Sequence, residues 1–142
     1  MRPITYQRAT DPSAAIQALA AADNNPLTEA TAQPLAGGTT LIDLMKLDVM
    51  RPTTVVDINP LAGVWSAINL EDGNLRLGAL ARMSDVAANP EIQRHYPVIA
   101  ATLKLAASPQ LRNMATLGAA PIFATSATPT ATSAIRVPVA PR

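Results

Sequence analysis

The chain of 142 residues has the length of one ordinary domain, and 49% apolar against 15% charged residues is enough to build a core. Eleven Lys and Arg against ten Asp and Glu leave a net charge of +1, which points to neither nucleic acid nor an anionic membrane as a partner. The absence of Cys excludes disulfides, thiolate zinc and Cys-held iron–sulfur clusters, and His95, the single His, leaves a histidine metal site or a Ser-His-Asp triad short of members.

The opening MRPITYQRATDP has no apolar leader, and no stretch reaches the roughly 18 apolar residues of a membrane span. A soluble, cytoplasmic chain is expected, with export beside a partner subunit left open. With one Trp, one Phe and two Tyr, burial must rest on Leu, Ile, Val, Met and Ala.

Thr5 to Arg8 predicts a short strand. Asp11-Pro12-Ser13 is a helix-start signal with Pro in the first turn. Ala15, Ile16, Leu19 and Ala20 then follow at the three- and four-residue steps that place them on one buried stripe, ended by Asp23-Asn24-Asn25-Pro26. Gln33 to Ala36 is a short apolar approach to Gly37-Gly38, and Leu41 to Leu47 predicts a helix with Leu41, Leu44 and Met45 inward. Thr53 to Ile58, rich in β-branched residues, predicts a buried strand stopped by Asn59-Pro60.

Ser66 to Leu70 and Leu75 to Leu80 flank Glu71-Asp72-Gly73-Asn74 as a hairpin. Ser84 is placed to cap a short helix ending before Pro90, and Pro97 to Ala107 predicts a longer helix with Ile99, Leu103 and Ala106 or Ala107 on one face. Ser108 to Asn113 reads as a loop, and Met114 to Leu117 as a strand entering a turn at Gly118. From Ala119 onward Ala, Thr, Pro and Ser dominate and no period persists, so the folded part is expected to end near Gly118 and residues 119–142 to lack regular structure. The mixture is α+β.

Two glycine turns carry the candidate chemistry. In LAGGTTLIDLMK, Gly37 and Gly38 stand between an apolar strand and a helix, where backbone amides converge and no Cβ blocks close approach. The helix N-terminus adds favourable charge, and the Thr39 and Thr40 hydroxyls can donate to phosphate oxygens. The segment lacks the Lys of a Walker A loop and the G-x-G-x-x-G spacing of a Rossmann turn, so a tight turn capped by Thr and an anion site both stand. In SPQLRNMATLG, Arg112 reads either as a partner for a carboxylate or phosphate, or as a solvated side chain on a surface loop.

His95 reads as a helix-end or surface residue. Asp43, Asp48, Asp57 and Asp85 fall in different elements without paired-carboxylate spacing, which leaves glycosidase or aspartic-protease chemistry unsupported. Met45 and Met50 read as core or gap-filling residues.

Taken together, MRPITYQRA, LAGGTTLIDLMKLDVMRPTTVVDIN, LRLGALARMSD and ASPQLRNMATLG resemble the FAD-binding medium subunit of the xanthine dehydrogenase, or molybdenum hydroxylase, family, over nearly all of Met1 to Gly118. The resemblance implies a two-subdomain FAD-binding fold of the vanillyl-alcohol oxidase type, with residues 1–58 as the first subdomain, 59–118 as the start of the second and 119–142 as a tail. It implies that Leu35, Ala36, Gly37, Gly38, Thr39, Thr40 and Leu41 wrap the FAD pyrophosphate. A second family turn, Thr-Leu/Ile-Gly-Gly-Asn, maps onto Thr116, Leu117 and Gly118 but departs at Ala119 and Ala120, where a Cβ replaces open backbone.

The family subunit is about twice this length, and its closest-looking branch continues into Cys-rich sequence that can hold an iron–sulfur cluster, which this chain could not. Joining the last base of each codon to the first two of the next, Ala120 to Thr125 can encode Cys-Pro-Tyr-Phe-Arg-Asp. Thr128 to Ala134 can likewise encode Tyr-Thr-Asp-Cys-Asn-Lys-Arg, and Ile135 onward Asp-Pro-Gly-Thr-Gly-Cys, all similar to that branch. The expectation is a flavin subunit truncated and frameshifted after Gly118, with a Pro/Ala/Thr linker as the competing reading.

Three functions follow as expectations. The first is an FAD-binding electron-transfer component, partnered by a molybdopterin-binding large subunit and an iron–sulfur small subunit, in which the flavin carries the redox chemistry and no side chain acts as acid or base. The second is a remnant that binds little or no FAD. The third is a small phosphate-binding module.

Overall fold

The computed structural model describes residues 2–20, 29–71, 74–119 and 134–138, and two three-stranded sheets organise them. The first sheet is parallel. β1 (Thr5–Arg8) and β2 (Ala32–Leu35) flank β3 (Thr54–Asp57), giving the order β1-β3-β2. β3 reads Thr-Val-Val-Asp, and both valines are buried, as a central parallel strand covered on two faces requires. The Pro60 that follows opens a single 3-10 turn, Asn59–Leu61, which ends the strand.

Helices α1 (Pro12–Ala20) and α2 (Thr39–Lys46) lie in the two connections of this sheet. Asp11 starts α1 as the sequence predicts, its Oδ1 accepting from the Ala14 N–H at 2.9 Å. The buried stripe of α1 differs from expectation. Ala15 is buried with Ala18 and Leu19 partly covered, whereas Ile16 is 58% exposed and Ala20 faces outward. Ala15, Ala18 and Leu19 form the i, i+3, i+4 set, and Ile16 sits about 100° around the helix from Ala15. In α2, Met45 is buried and Leu41 and Leu44 are half-buried.

The second sheet is antiparallel, ordered β4-β5-β6, from β4 (Ile68–Glu71), β5 (Asn74–Gly78) and β6 (Ala134–Pro138). β4 and β5 are the predicted hairpin, with Ile68 opposite Leu77. β6 departs from the expectation of a tail without regular structure. Its Ala-Ile-Arg-Val-Pro run pairs with β5 from Gly78↔Ala134 to Asn74↔Pro138, placing a β-branched pair at period two on the free edge of that strand. The rest of the tail expectation, at 120–133 and 139–142, lies outside the described residues.

After α3 (Ala62–Trp65) and the hairpin come α4 (Met83–Ala88), α5 (Pro90–His95), α6 (Pro97–Leu105) and α7 (Pro109–Met114). The last three each open on proline, whose missing N–H would be unpaired there anyway. Asn89 Oδ1 caps α5 by accepting from Glu91 N at 2.9 Å and Ile92 N at 3.2 Å. Ser84 is not a cap: it lies inside α4, whose N-cap is Arg82. Ser108 to Asn113 is not a loop, because Ser108 Oγ accepts from Leu111 N at 3.3 Å and starts α7. On α6 the buried pair is Ala100 and Leu103, with Ile99 partly covered and Ala106 exposed beyond the helix end.

Two apolar clusters result. One gathers Leu75 and Leu77 of β5 with Val86, Ile92, Ala100 and Leu103 of the helices. The other packs Ala15 and Val56 against Ala36, Leu61 and Leu80, so the first sheet and the segment after β5 share burial.

Candidate cofactor-binding site

The C-terminal ends of the parallel strands meet at one edge, where Arg8 and Leu35 are both register partners of Asp57. Loops at this edge are where open parallel sheets gather ligands. From Leu35, half-buried at the end of β2, the chain passes through buried Ala36 into Gly37 and Gly38 and then into α2. Gly38 is the N-cap of α2 at φ 73°, a left-handed conformation that costs a side chain energy and glycine little. A Cβ on Gly37 would sit 2.1 Å from the Met114 carbonyl oxygen, so only glycine lets this loop and the end of α7 approach so closely.

No side chain caps α2. Its first-turn amides, on the half-buried Thr39, Thr40 and Leu41, lack the i−4 partners of an interior turn and face the loop with the positive end of the helix dipole. An anion is the chemical complement of that arrangement.

The second glycine motif lies against the first. Thr116 is buried, and its Oγ1 accepts from Gly37 N–H at 3.3 Å across 79 residues of sequence. The predicted strand at Met114 to Leu117 is reduced to a single bridge between Arg82 and Thr116, followed by a 3-10 turn over Leu117–Ala119. Leu117 points into the core, its N–H bonded to Ala81 O at 3.0 Å, while Gly118 N–H donates to Ala79 O at 2.7 Å. Thr116 thus borders the loop, while Leu117 and Gly118 are tied to the segment after β5 through Ala81 and Ala79.

Arg112 takes neither of its sequence-based roles. Its Nη1 donates to the carbonyls of Lys104, at 2.7 Å, and Ala107, satisfying the C-terminal end of α6. His95 Nε2 lies 3.4 Å from Glu91 Oε2 on its own helix. The other aspartates are dispersed: Asp43 faces Lys46 at 3.9 Å, and Asp48 pairs with Arg2 at 2.7 Å and Arg51 at 3.2 Å. Among the described residues no group of His, Asp and Glu could hold a metal ion, and no helix is long and apolar enough to cross a membrane.

Sequence reasoning missed Asp57 and Asn59 as site residues. Asp57 is 7% exposed; its Oδ2 accepts from Tyr6 Oη at 2.6 Å, and its Oδ1 from Asn59 N at 2.9 Å and Asn59 Nδ2 at 2.7 Å. Burial pushes this carboxyl up, but the bonds from Tyr6 and Asn59, with the Arg8 charge 3.8 Å away, outweigh it and hold the group below the usual carboxylate range. The same bond raises the Tyr6 phenol. The available signal was the Asp-Ile-Asn spacing at a strand end, which is the pattern of an Asx turn.

Fold and site therefore define a mixed α/β domain that presents an uncapped helix N-terminus through a double-glycine loop. Residues 2–134 match the FAD binding domain in molybdopterin dehydrogenase, and the chain belongs to this family. It is 40% identical over 116 residues to the aldehyde oxidoreductase FAD-binding subunit PaoB of Escherichia coli, covering 82% of this chain and 34% of that one. It is 36% identical over 130 residues to the putative xanthine dehydrogenase FAD-binding subunit XdhB of Escherichia coli, covering 89% and 42%.

Among solved structures, carbon monoxide dehydrogenase from Hydrogenophaga pseudoflava superposes with a TM-score of 0.72 at 29% identity, covering 82% of this chain and 38% of that one. Quinoline 2-oxidoreductase from Pseudomonas putida 86 gives 0.70 at 25% identity, again covering 82% and 38%. The chain spans 34% to 42% of the length of these relatives. The family is one of oxidoreductase flavoproteins related to xanthine dehydrogenase, its cofactor is FAD, and the fold is the mixed α/β FAD-binding fold.

Proposed function

We propose that this chain cradles the pyrophosphate of FAD at the N-terminus of α2, as part of an electron-transfer subunit in a molybdenum-containing xanthine or aldehyde dehydrogenase complex. Leu35, Ala36, Gly37, Gly38, Thr39, Thr40 and Leu41 form one side of the cradle and Thr116, Leu117 and Gly118 the other. The observation that carries this reading is the uncapped first turn of α2 behind left-handed Gly38, joined to the second motif through Gly37 and Thr116.

FAD supplies the electron-transfer chemistry when bound. The chain's own task is to bind and orient it. First-turn amides and the Thr39 and Thr40 hydroxyls donate to phosphate oxygens, and the helix end contributes roughly 0.3–1 kcal/mol per favourable exposed charge. Ala119 and Ala120 depart from the Gly-Asn of the second family turn, so the larger share of binding falls to the first loop.

The first sheet, within residues 1–58, and the β4-β5 hairpin, within 59–118, support a division into two subdomains in the manner of vanillyl-alcohol oxidase, with β6 at Ala134–Pro138 extending the second beyond residue 118. Relatives named as FAD-binding subunits and medium chains support, as partners, a molybdopterin-binding large subunit and an iron–sulfur small subunit. Titration of FAD with the purified protein, followed by flavin fluorescence, tests the reading. Saturable quenching that Gly38→Val abolishes is the expected result; a folded, soluble protein that leaves flavin emission unchanged would overturn it.

A further inference from the structure

The Ala36–Gly37 peptide is held at both of its polar ends. Its carbonyl oxygen accepts from Asn59 Nδ2 at 2.9 Å, and its N–H donates to Thr116 Oγ1 at 3.3 Å. Asn59 is itself held, because Asp57 Oδ1 accepts from both its backbone N–H and its Nδ2. Each neighbour of that Nδ2 is an acceptor: the Asp57 carboxylate, Ala36 O and, at 3.5 Å, Leu35 O. Rotating the amide end for end would set oxygen against oxygen. Asp57 is in turn fixed by Tyr6 on the neighbouring strand.

We propose that Asn59, oriented by Asp57, is a positioning residue that fixes the plane of the Ala36–Gly37 peptide and thereby the direction faced by the amides entering α2. The proposal rests on the reading of this loop as the pyrophosphate cradle. A peptide beside glycine can turn over by about half a rotation at small cost, as the paired turn types show. Turned over, it would exchange its N–H and carbonyl. Thr116 does not prevent this, since its hydroxyl donates as readily as it accepts and would bond the flipped carbonyl equally well. Asn59 Nδ2 only donates. It is the partner that distinguishes the two orientations.

The test uses the full chain and compares Asn59→Asp, which keeps the size and replaces the donor with an acceptor, with Asn59→Ala. Three quantities are read: amide exchange and 15N shift at Gly37 and Gly38, FAD affinity by fluorescence, and melting temperature. In Asn59→Asp the Gly37 amide is expected to shift and to exchange about tenfold faster, and FAD affinity to fall about tenfold, while unfolding stays cooperative. A merely structural role would move the melting temperature and leave the glycine amides of the folded state in place.

Unchanged Gly37 signals in Asn59→Asp overturn the proposal, and so do shifted signals with unaltered FAD affinity. If neither variant folds, scalar coupling between Asn59 Nδ2 and the Ala36 carbonyl carbon in the unmutated chain decides, its absence counting against the clamp. An unmutated chain that binds no FAD overturns the cradle reading instead, and the Gly37 signals still decide whether Asn59 sets the plane.

Discussion

The Gly37 amide donates to Thr116 Oγ1 across 79 residues of chain, at a distance of 3.3 Å. Each partner belongs to a different glycine motif, so the bond couples the parallel-sheet half of the domain to the segment that follows α7. Thr116 is buried, and its hydroxyl is the acceptor that satisfies this loop amide.

Replacing Thr116 by Val keeps the shape and removes the acceptor. The part-buried Gly37 N–H is then left unpaired, at a cost of about 1–3 kcal/mol. Urea unfolding should show that loss, and Thr116→Ser should recover most of it.

Gly37→Ala and Gly38→Ala are expected to differ in severity. A Cβ on Gly38 meets the flexible ends of Ile42 and Leu35, at 2.9 Å each, in addition to the strain of φ 73°. About 1–2 kcal/mol covers the left-handed conformation. On Gly37 the obstacle is the Met114 backbone carbonyl at 2.1 Å, which can yield only if α7 and the loop separate. Gly37→Ala should therefore lower the urea midpoint further than Gly38→Ala; equal effects would show that the two segments part easily.

Asp57 binds its proton less tightly in the folded chain than in the unfolded one. Its contribution to stability is therefore fully present above the unfolded carboxyl pKa of about 3.9 and is lost as pH falls through the lower folded value. Urea midpoints measured from neutral pH downward should drop in that acidic window, and the drop should shrink in Asp57→Asn. A variant with the same acid profile as the unmutated chain would assign the effect to other carboxylates, Asp48 first among them, whose bond and charge pairing with Arg2 lower it too.

Arg112 is bonded to the carbonyls that end α6. Arg112→Gln should cost about 1 kcal/mol of stability and leave FAD affinity within about twofold, a change worth less than half a kcal/mol. A large loss of flavin binding with stability intact would return Arg112 to the anion site.

The sequence signals that succeeded were local and repeated within a few residues. The Val55–Val56 strand carries its own β-branched run, and Gly37-Gly38 stands where a strand gives way to a helix. α7 was hidden because six residues are too few for an apolar period, although Ser108-Pro109 already spelled a cap and a first turn. β6 and the Asp57–Asn59 clamp were hidden for another reason: each acquires its meaning from a partner distant in sequence, β5 for the one and Ala36 for the other. Ile16 shows the same limit, since periodicity allots a face to a helix but not how wide a floor lies beneath it.

The order β1-β3-β2 has a consequence for how the chain is made. A ribosome releases Thr5–Arg8 and Ala32–Leu35 first, and neither strand pairs with the other. Both wait for Thr54–Asp57, the last to emerge, which carries in its final residue the carboxylate that orients Asn59. Closing the sheet and fixing the carbonyl end of the Ala36–Gly37 peptide thus both wait, in vectorial synthesis, for the middle strand and the Asn59 that follows it, while the N–H end waits longer still, for Thr116.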